Sequence, residues 1–256
     1  MATKKTVLTI AGFDPSGGAG IITDLRAFAA FGCHGTAAIT SLTSQNSFRV
    51  NAAYNQHADI VLAQIEPILE EFDIAAVKIG MLPTPEIIDV VAKTIEEHTL
   101  TNIVLDPVIR STSGFDLIDL TAAHFLSERL LPLADVITPN IAEAEVLSGA
   151  KIRNIDEMKL AAKQLHQATR SYEFGKPTKR AVLVKGGHLE DRAIDVLATD
   201  DGLTEFDAEF IRNVNTHGTG CRLSSAIAAG LAQGSILSKA ILDAKQYVTD
   251  ELKSRA

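Results

Sequence analysis

"TVLTIAGFDPSGGAGIITDLRAF", residues 6–28, sets the architecture of the chain. Its first seven residues, "TVLTIAG" (6–12), are almost continuously apolar or β-branched. That reads as a strand buried on both faces, because a half-exposed strand would alternate apolar with polar residues. Glycines and a proline then mark a loop, and the apolar spacing beyond it reads as a helix reaching about Phe31. A doubly buried strand feeding a helix through a short loop is the repeating unit of a parallel sheet.

The unit recurs. "GTAAITSLTS" (35–44) precedes the helix "HADIVLAQIEPILEEF" (57–72), and "AAVKIG" precedes "PEIIDVVAKTIEEH". "NIVLDPV" (102–108) precedes a helix around "AAHFLSERLL", "DVITPN" precedes "IAEAEVLSG", and "AVLVKGGH" (181–188) follows a further helix. Only 193–214 breaks the rhythm, and it reads as two or three antiparallel strands around the "DDG" turn. The predicted fold is a doubly wound α/β domain, a central, mostly parallel sheet with helices on both faces. No linker, low-complexity tract or repeat interrupts it, so residues 1–256 are read as one domain.

Composition narrows the function classes. The formal charge is −8, with no basic stretch to neutralise phosphates, which argues against a general nucleic-acid surface. The N-terminal apolar run ends after a few residues, too short for a signal segment, and nothing approaches a membrane span. Two cysteines, Cys33 and Cys221, make neither a disulfide framework nor a zinc spacing. A reducing cytoplasm is the expected compartment.

In a doubly wound sheet the chemistry gathers in loops beyond the carboxyl ends of the strands. Those loops are "GFDPSGGAGI", "SQN", "GML", "DPV", "TPNIAEAE", "KGGH" and "NTHGTGC". The last, residues 215–221, runs straight into an alanine-rich helix. Its glycines let backbone N–H groups from Gly218 to Cys221 converge at the positive end of the helix dipole, a concavity that suits an anion. A cysteine there is expected to have a depressed pKa. The plainer explanation is a helix cap with a small buried hydrophobe, and this motif alone does not choose between the two.

Together, "AGFDPSGGAGI", "SLTSQN", "KIGML", "VLDPV", "ITPNIAEAE", "VKGGH" and "NTHGTGC" resemble, in order and spacing, the hydroxymethylpyrimidine kinase/phosphomethylpyrimidine kinase family of thiamine biosynthesis, within the ribokinase-like superfamily. The resemblance runs from residue 6 to about 250. It implies a three-layer αβα fold, ATP as phosphoryl donor, Mg²⁺, an aminopyrimidine substrate and a homodimer. Cys221 falls where the catalytic base stands, with Gly218 and Gly220 forming the anion hole and Thr219 between them on the ATP side. Lys185 is expected to reach a phosphate oxygen. Asn140 and Glu143 match an NxxE motif whose i, i+3 spacing puts both side chains on one face at a helix start. There Glu143 would hold the water shell of Mg²⁺, which keeps several waters and takes few carboxylates. Asp106 is the second acid expected near the metal or γ-phosphate. Gly12, Asp24, Gln45 and Met81 fall on the substrate side, where the Gln45 amide can both donate to and accept from an aminopyrimidine edge.

Two departures stand out. Phe13 replaces a small polar residue, and Arg222 stands where a threonine commonly follows the cysteine. A cation in a helix's first turn opposes the dipole. The expectation is that Arg222 points outward to a surface acid, so that Arg222→Thr spares ATP use and slightly stabilises the protein. The alternatives are pyridoxal kinase, which Gln45 disfavours, a thiol hydrolase pairing Cys221 with His217, and a non-catalytic vitamin-binding regulator.

Overall fold

The computed structural model describes residues 4–110, 114, 117–118, 120–170, 180–189 and 192–255. In chain order the first elements are β1 (Thr6–Phe13), α1 (Gly20–Ala30), β2 (His34–Gln45), β3 (Val50–Asn55) and α2 (Ala58–Glu71). Next come β4 (Ile74–Ile79), α3 (Pro85–Glu97), β5 (Ile103–Leu105), α4 (Leu120–Arg129) and β6 (Val136–Ile137). The chain continues through α5 (Ile141–Ser148), α6 (Ile155–Arg170), β7 (Ala181–Leu189), β8 (Arg192–Thr199) and β9 (Gly202–Phe206). It closes with α7 (Thr219–Ala232) and α8 (Leu237–Lys253).

All nine strands form one sheet in the order β3-β2-β1-β4-β5-β6-β7-β8-β9. From β2 to β7 the neighbours are parallel, and antiparallel strands extend both edges. Along β1 the side chains alternate between two apolar layers, Leu8 and Ile10 on one face and Val7 on the other. Burial on both faces is why its sequence does not alternate apolar with polar. Helices α2 to α6 cover the first face through residues such as Val61, Ile87, Leu126, Ala144 and Met158. Phe28 of α1, Ile227 of α7 and Ile241 of α8 cover the second. Helix α7 is buried on nearly every side, which explains its small residues. A Cβ at Gly230 would stand 3.0 Å from the Cβ of Ala240 in α8, so larger side chains would force the helices apart.

Three sequence readings change. The stretch 35–44 is the first half of a hairpin, whose second strand, β3, has no counterpart in the sequence reading; β3 is half-exposed and lacks the doubly buried signature. The strand "NIVLDPV" shrinks to Ile103–Leu105, because Pro107 cannot donate to a ladder. "KGG" is not a loop opening: Gly186 pairs with Ile194, and Lys185 lies within β7 opposite Asp195. The region 193–214 supplies two strands, β8 and β9, hinged at Asp200–Asp201, followed by irregular chain.

From β1 the chain moves to β2 on one side and, after β3, to β4 on the other. The order therefore reverses between β1 and β4, and a crevice is expected beyond their carboxyl ends.

Candidate active site

A cleft of about 1650 Å³ opens at that reversal, larger than most single-ligand pockets and roomy enough for two ligands side by side. Every candidate residue from the sequence except Asp24 lines it. Gly12, Phe13 and Asp14 come from the end of β1, Gln45 from the end of β2, and Met81 from just past β4. Asp106, Asn140, Glu143, Lys185 and the stretch Gly218–Cys221 line the same cleft.

The end of the cleft beside β1 and β2 is organised around Asp14. Its side chain accepts the backbone N–H groups of Ser16 at 2.8 Å and Ala19 at 2.9 Å, curling residues 14–20 back over β1. His217 Nε2 lies 3.1 Å from Oδ2, the oxygen that also accepts the Ala19 N–H. Burial works to raise the Asp14 carboxyl, but hydrogen bonds from His217, Gln45 and Ser16 outweigh it and hold the group well below the usual carboxylate range. Gln45 is thus anchored by a fixed anion while still facing the cleft. Met81 is buried against Gly12, where a Cβ would come within 3.1 Å of its sulfur.

Another part of the cleft is built on the start of α7. Gly218, the residue before the helix, has φ +76°, and a Cβ there would overlap the Gly18 carbonyl oxygen, so only glycine fits. Among the described residues, the N–H groups of Gly220 and Cys221 have no backbone partner and are free for an anion. A Cβ at Gly220 would stand 3.0 Å from Lys185 Nζ, which puts that ammonium against the same opening. Lys185 Nζ also donates to Asp106 Oδ1 at 2.7 Å. Burial disfavours both charges, yet each holds the other ionised: Asp106 lies below its ordinary range, helped by Lys78, and Lys185 above it.

Asn140 and Glu143 form a reciprocal cap at the start of α5. The Asn140 side chain accepts the Glu143 N–H at 2.9 Å, and Glu143 Oε2 accepts the Asn140 N–H at 2.7 Å. Burial pushes the Glu143 carboxyl up to about 7; Lys185 opposes that and Asp106 adds to it. Among the described residues, no group of three or more His, Cys, Asp or Glu side chains is gathered for a metal ion.

Three expectations fail here. Asp24 is no substrate contact. It is fully buried beneath the cleft, taking Lys78 Nζ at 2.9 and 3.1 Å, Thr9 Oγ1 at 2.7 Å and Ser225 Oγ at 2.7 Å. One turn into α1 its side chain faces the sheet, not the loop. Cys221 does not have a depressed pKa: burial pushes its thiol up; Lys78 and the Gly20 backbone oppose that, while Asp106 and Asp24 add to it. Arg222 does not point outward. It is 5% exposed, and Nη1 donates to the carbonyls of Gly18 at 3.0 Å and His217 at 3.3 Å, with Glu251 3.7 Å from Nε. Its loss should destabilise the protein, the reverse of the sequence expectation.

Lys78 was missed. It lines the cleft while fully buried, and Asp24, with Cys221 and Asp106 beyond it, holds its ammonium above the usual range despite burial. The signal was available: a lysine inside "AAVKIG", in a sheet buried on both faces, must be paired. His217 is turned to Asp14, and among the described residues no hydrogen bond joins it to Cys221, so the thiol-hydrolase pair is not assembled. The side chain of His188 lies outside the described residues.

The chain matches the phosphomethylpyrimidine kinase family over residues 14–256. It is 41% identical to the hydroxymethylpyrimidine/phosphomethylpyrimidine kinase of Aquifex aeolicus over 248 residues, covering 96% of this chain and 94% of that one. The crystal structure of phosphomethylpyrimidine kinase from Clostridium difficile is 39% identical, with a TM-score of 0.82 over 97% of this chain and 99% of that one. An ADP complex of Bacillus subtilis pyridoxal kinase is 37% identical, with a TM-score of 0.85 over 96% of this chain and 91% of that one.

Proposed function

The chain belongs to the phosphomethylpyrimidine kinase family, and from that premise we propose how it phosphorylates hydroxymethylpyrimidine and then its monophosphate with ATP, toward the pyrimidine pyrophosphate of thiamine biosynthesis. One observation carries the reading. A hydrogen-bonding wall at Asp14 and Gln45 and the N–H groups of Gly218–Cys221 line one cleft.

The ring lies against Gly12 and Met81, with its amino edge on Gln45. ATP enters from the other side, its phosphates on the Gly220 and Cys221 N–H groups and on Lys185, which leaves Asp106 to hold that lysine in line. Thr219 and Asn140 complete the ATP wall. In the first step the hydroxymethyl oxygen forms a bond to the γ-phosphorus, and the bond from that phosphorus to the bridging oxygen of ADP breaks. Cys221 in its thiolate form accepts the hydroxyl proton and becomes the thiol. In the second step a phosphate oxygen of the monophosphate attacks in the same way. Catalysis in such transfers is mostly positioning and charge stabilisation, which fixed N–H groups and a paired lysine supply without reorganisation.

Mg²⁺ takes one or two carboxylates, several waters and substrate phosphates rather than a protein cage. Glu143, buried on the cleft wall beside Lys185 and Asp106, fits that demand through water. The ion neutralises charge on the phosphates being transferred.

One continuous sheet supports reading the chain as a single domain. Leu42, Phe48 and Tyr54, exposed together on the β2–β3 hairpin, support a homodimer. Two free cysteines suit a reducing cytoplasm.

The deciding experiment is ATP turnover on hydroxymethylpyrimidine, its monophosphate and pyridoxal side by side, with Mg²⁺ withdrawn as control. Preference for the pyrimidines, abolished without Mg²⁺, is the expected result. Preference for pyridoxal would instead make the chain a vitamin B6 kinase on the same scaffold.

A further inference from the structure

Arg222 does not line the cleft, yet it lies where the loops of its two ends meet. The loop 14–20 and the loop 216–220 are in backbone contact, with no room for a Cβ between Gly218 and Gly18, or between Gly18 and the His217 ring. One guanidinium nitrogen bridges them, donating to the Gly18 carbonyl on one loop and the His217 carbonyl on the other. The His217 ring closes the circuit at Asp14. Glu251 of α8 steadies the guanidinium from behind. A second arginine gives a natural comparison: Arg26 Nη1 donates to the Gly17 carbonyl at 2.8 Å, so it grips the first loop alone.

We propose that Arg222 is a positioning residue that locks the pyrimidine wall to the anion hole, so that the substrate hydroxyl and the γ-phosphate meet in register. The proposal rests on the kinase reading above. Each ligand contacts its own loop, so losing the strut leaves the separate binding sites intact and spoils only their mutual alignment. Misalignment of that kind is read in kcat, whereas loss of a contact to one ligand is read in its KM.

The test is steady-state kinetics of the wild type, R222M, R222K and R26M with hydroxymethylpyrimidine and Mg²⁺-ATP, at a temperature where circular dichroism shows each variant folded. R222M should lose roughly 10-fold in kcat, with both KM values within about threefold of wild type. R222K, which keeps a buried cation but not the planar fork, should fall between the two, and decides the matter if R222M does not fold. R26M should raise the KM for the pyrimidine and spare kcat. A wild type with no pyrimidine turnover would sink the kinase reading itself. An active wild type whose folded Arg222 variants keep kcat within twofold, or lose activity through KM alone, would overturn the role of Arg222.

Discussion

Cys221 shows what a single position discloses and what it hides. Its place after a glycine turn at a helix start was legible, and the cleft contains it; its charge state was not, because a helix-end rule knows nothing of burial or of Asp106 and Asp24 nearby. Arg222 failed for the same reason, since the carbonyls of Gly18 and His217 that hold it come from loops distant in sequence. If Cys221 is the base, Cys221→Ala should lower kcat by roughly 10²–10⁴-fold while keeping substrate affinity, because the glycine cradle remains. Near-normal turnover would leave the anion hole as sole catalyst. A thiol raised above its ordinary pKa is mostly protonated at neutral pH, so kcat of the wild type should climb as pH rises through the neutral range. Cys221→Asp should flatten that climb in the pH–rate profile. For ring choice, Gln45→Met should weaken pyrimidine use and spare pyridoxal, since a site built for a polar edge discriminates sharply. Equal losses on both rings would mean that Gln45 merely holds Asp14.

Elements buried on both faces were read well, because their signal is strong and local: β1, β4 and the helices that follow them stand where the apolar pattern put them. Edge elements were read unevenly: β8 and β9 flank the "DDG" turn as expected, while β3 and the glycines of β7 were not recognised. Strand β3 and the hairpin of β7 with β8 take their identity from pairing across the sheet, and glycines within β7 mimic a loop. Between elements the least legible feature was the clasp of Lys78 in β4, Asp24 in α1 and Ser225 in α7, which joins three elements beneath the cleft. Ser225 lies one turn past Cys221, so the clasp also sets the floor of the phosphate end. Removing one partner strands a buried charge, and Lys78→Met should cost roughly 3–5 kcal/mol. A matching change, Asp24→Leu in the Lys78→Met background, should recover part of that by removing the orphaned carboxylate. Urea unfolding of the wild type and these two variants checks this, and a Lys78→Met variant as stable as wild type would show that the clasp is not what holds the floor.

At the scale of the whole molecule, the doubly wound scaffold was legible from rhythm alone, whereas the choice of ring is not written in the fold. A pyridoxal kinase superposes on this chain as well as a phosphomethylpyrimidine kinase does, because the sheet positions the phosphoryl machinery and leaves selectivity to a few cleft side chains such as Gln45. The scaffold also stores a cost for that machinery, and Glu143 is where it can be measured. Its folded pKa, about 7, lies above the ordinary 4.5, so the folded protein holds this proton more tightly than the unfolded chain does. The resulting stability is fully present below pH 4.5 and is lost as pH rises to about 7, a change on the order of 3 kcal/mol for a gap of that size. Metal-free wild type should therefore lose stability between about pH 5 and pH 7.5 by more than Glu143→Gln does, because glutamine keeps the cap without the titration. Adding Mg²⁺ and ATP favours the carboxylate, so their stabilising effect on the wild type should be larger at the higher pH and nearly pH-independent in Glu143→Gln. Urea midpoints at the two pH values, with and without Mg²⁺-ATP, separate the cases. If both proteins respond to pH and to nucleotide alike, Glu143 is a helix cap and nothing more, and the ion must be held elsewhere along the cleft.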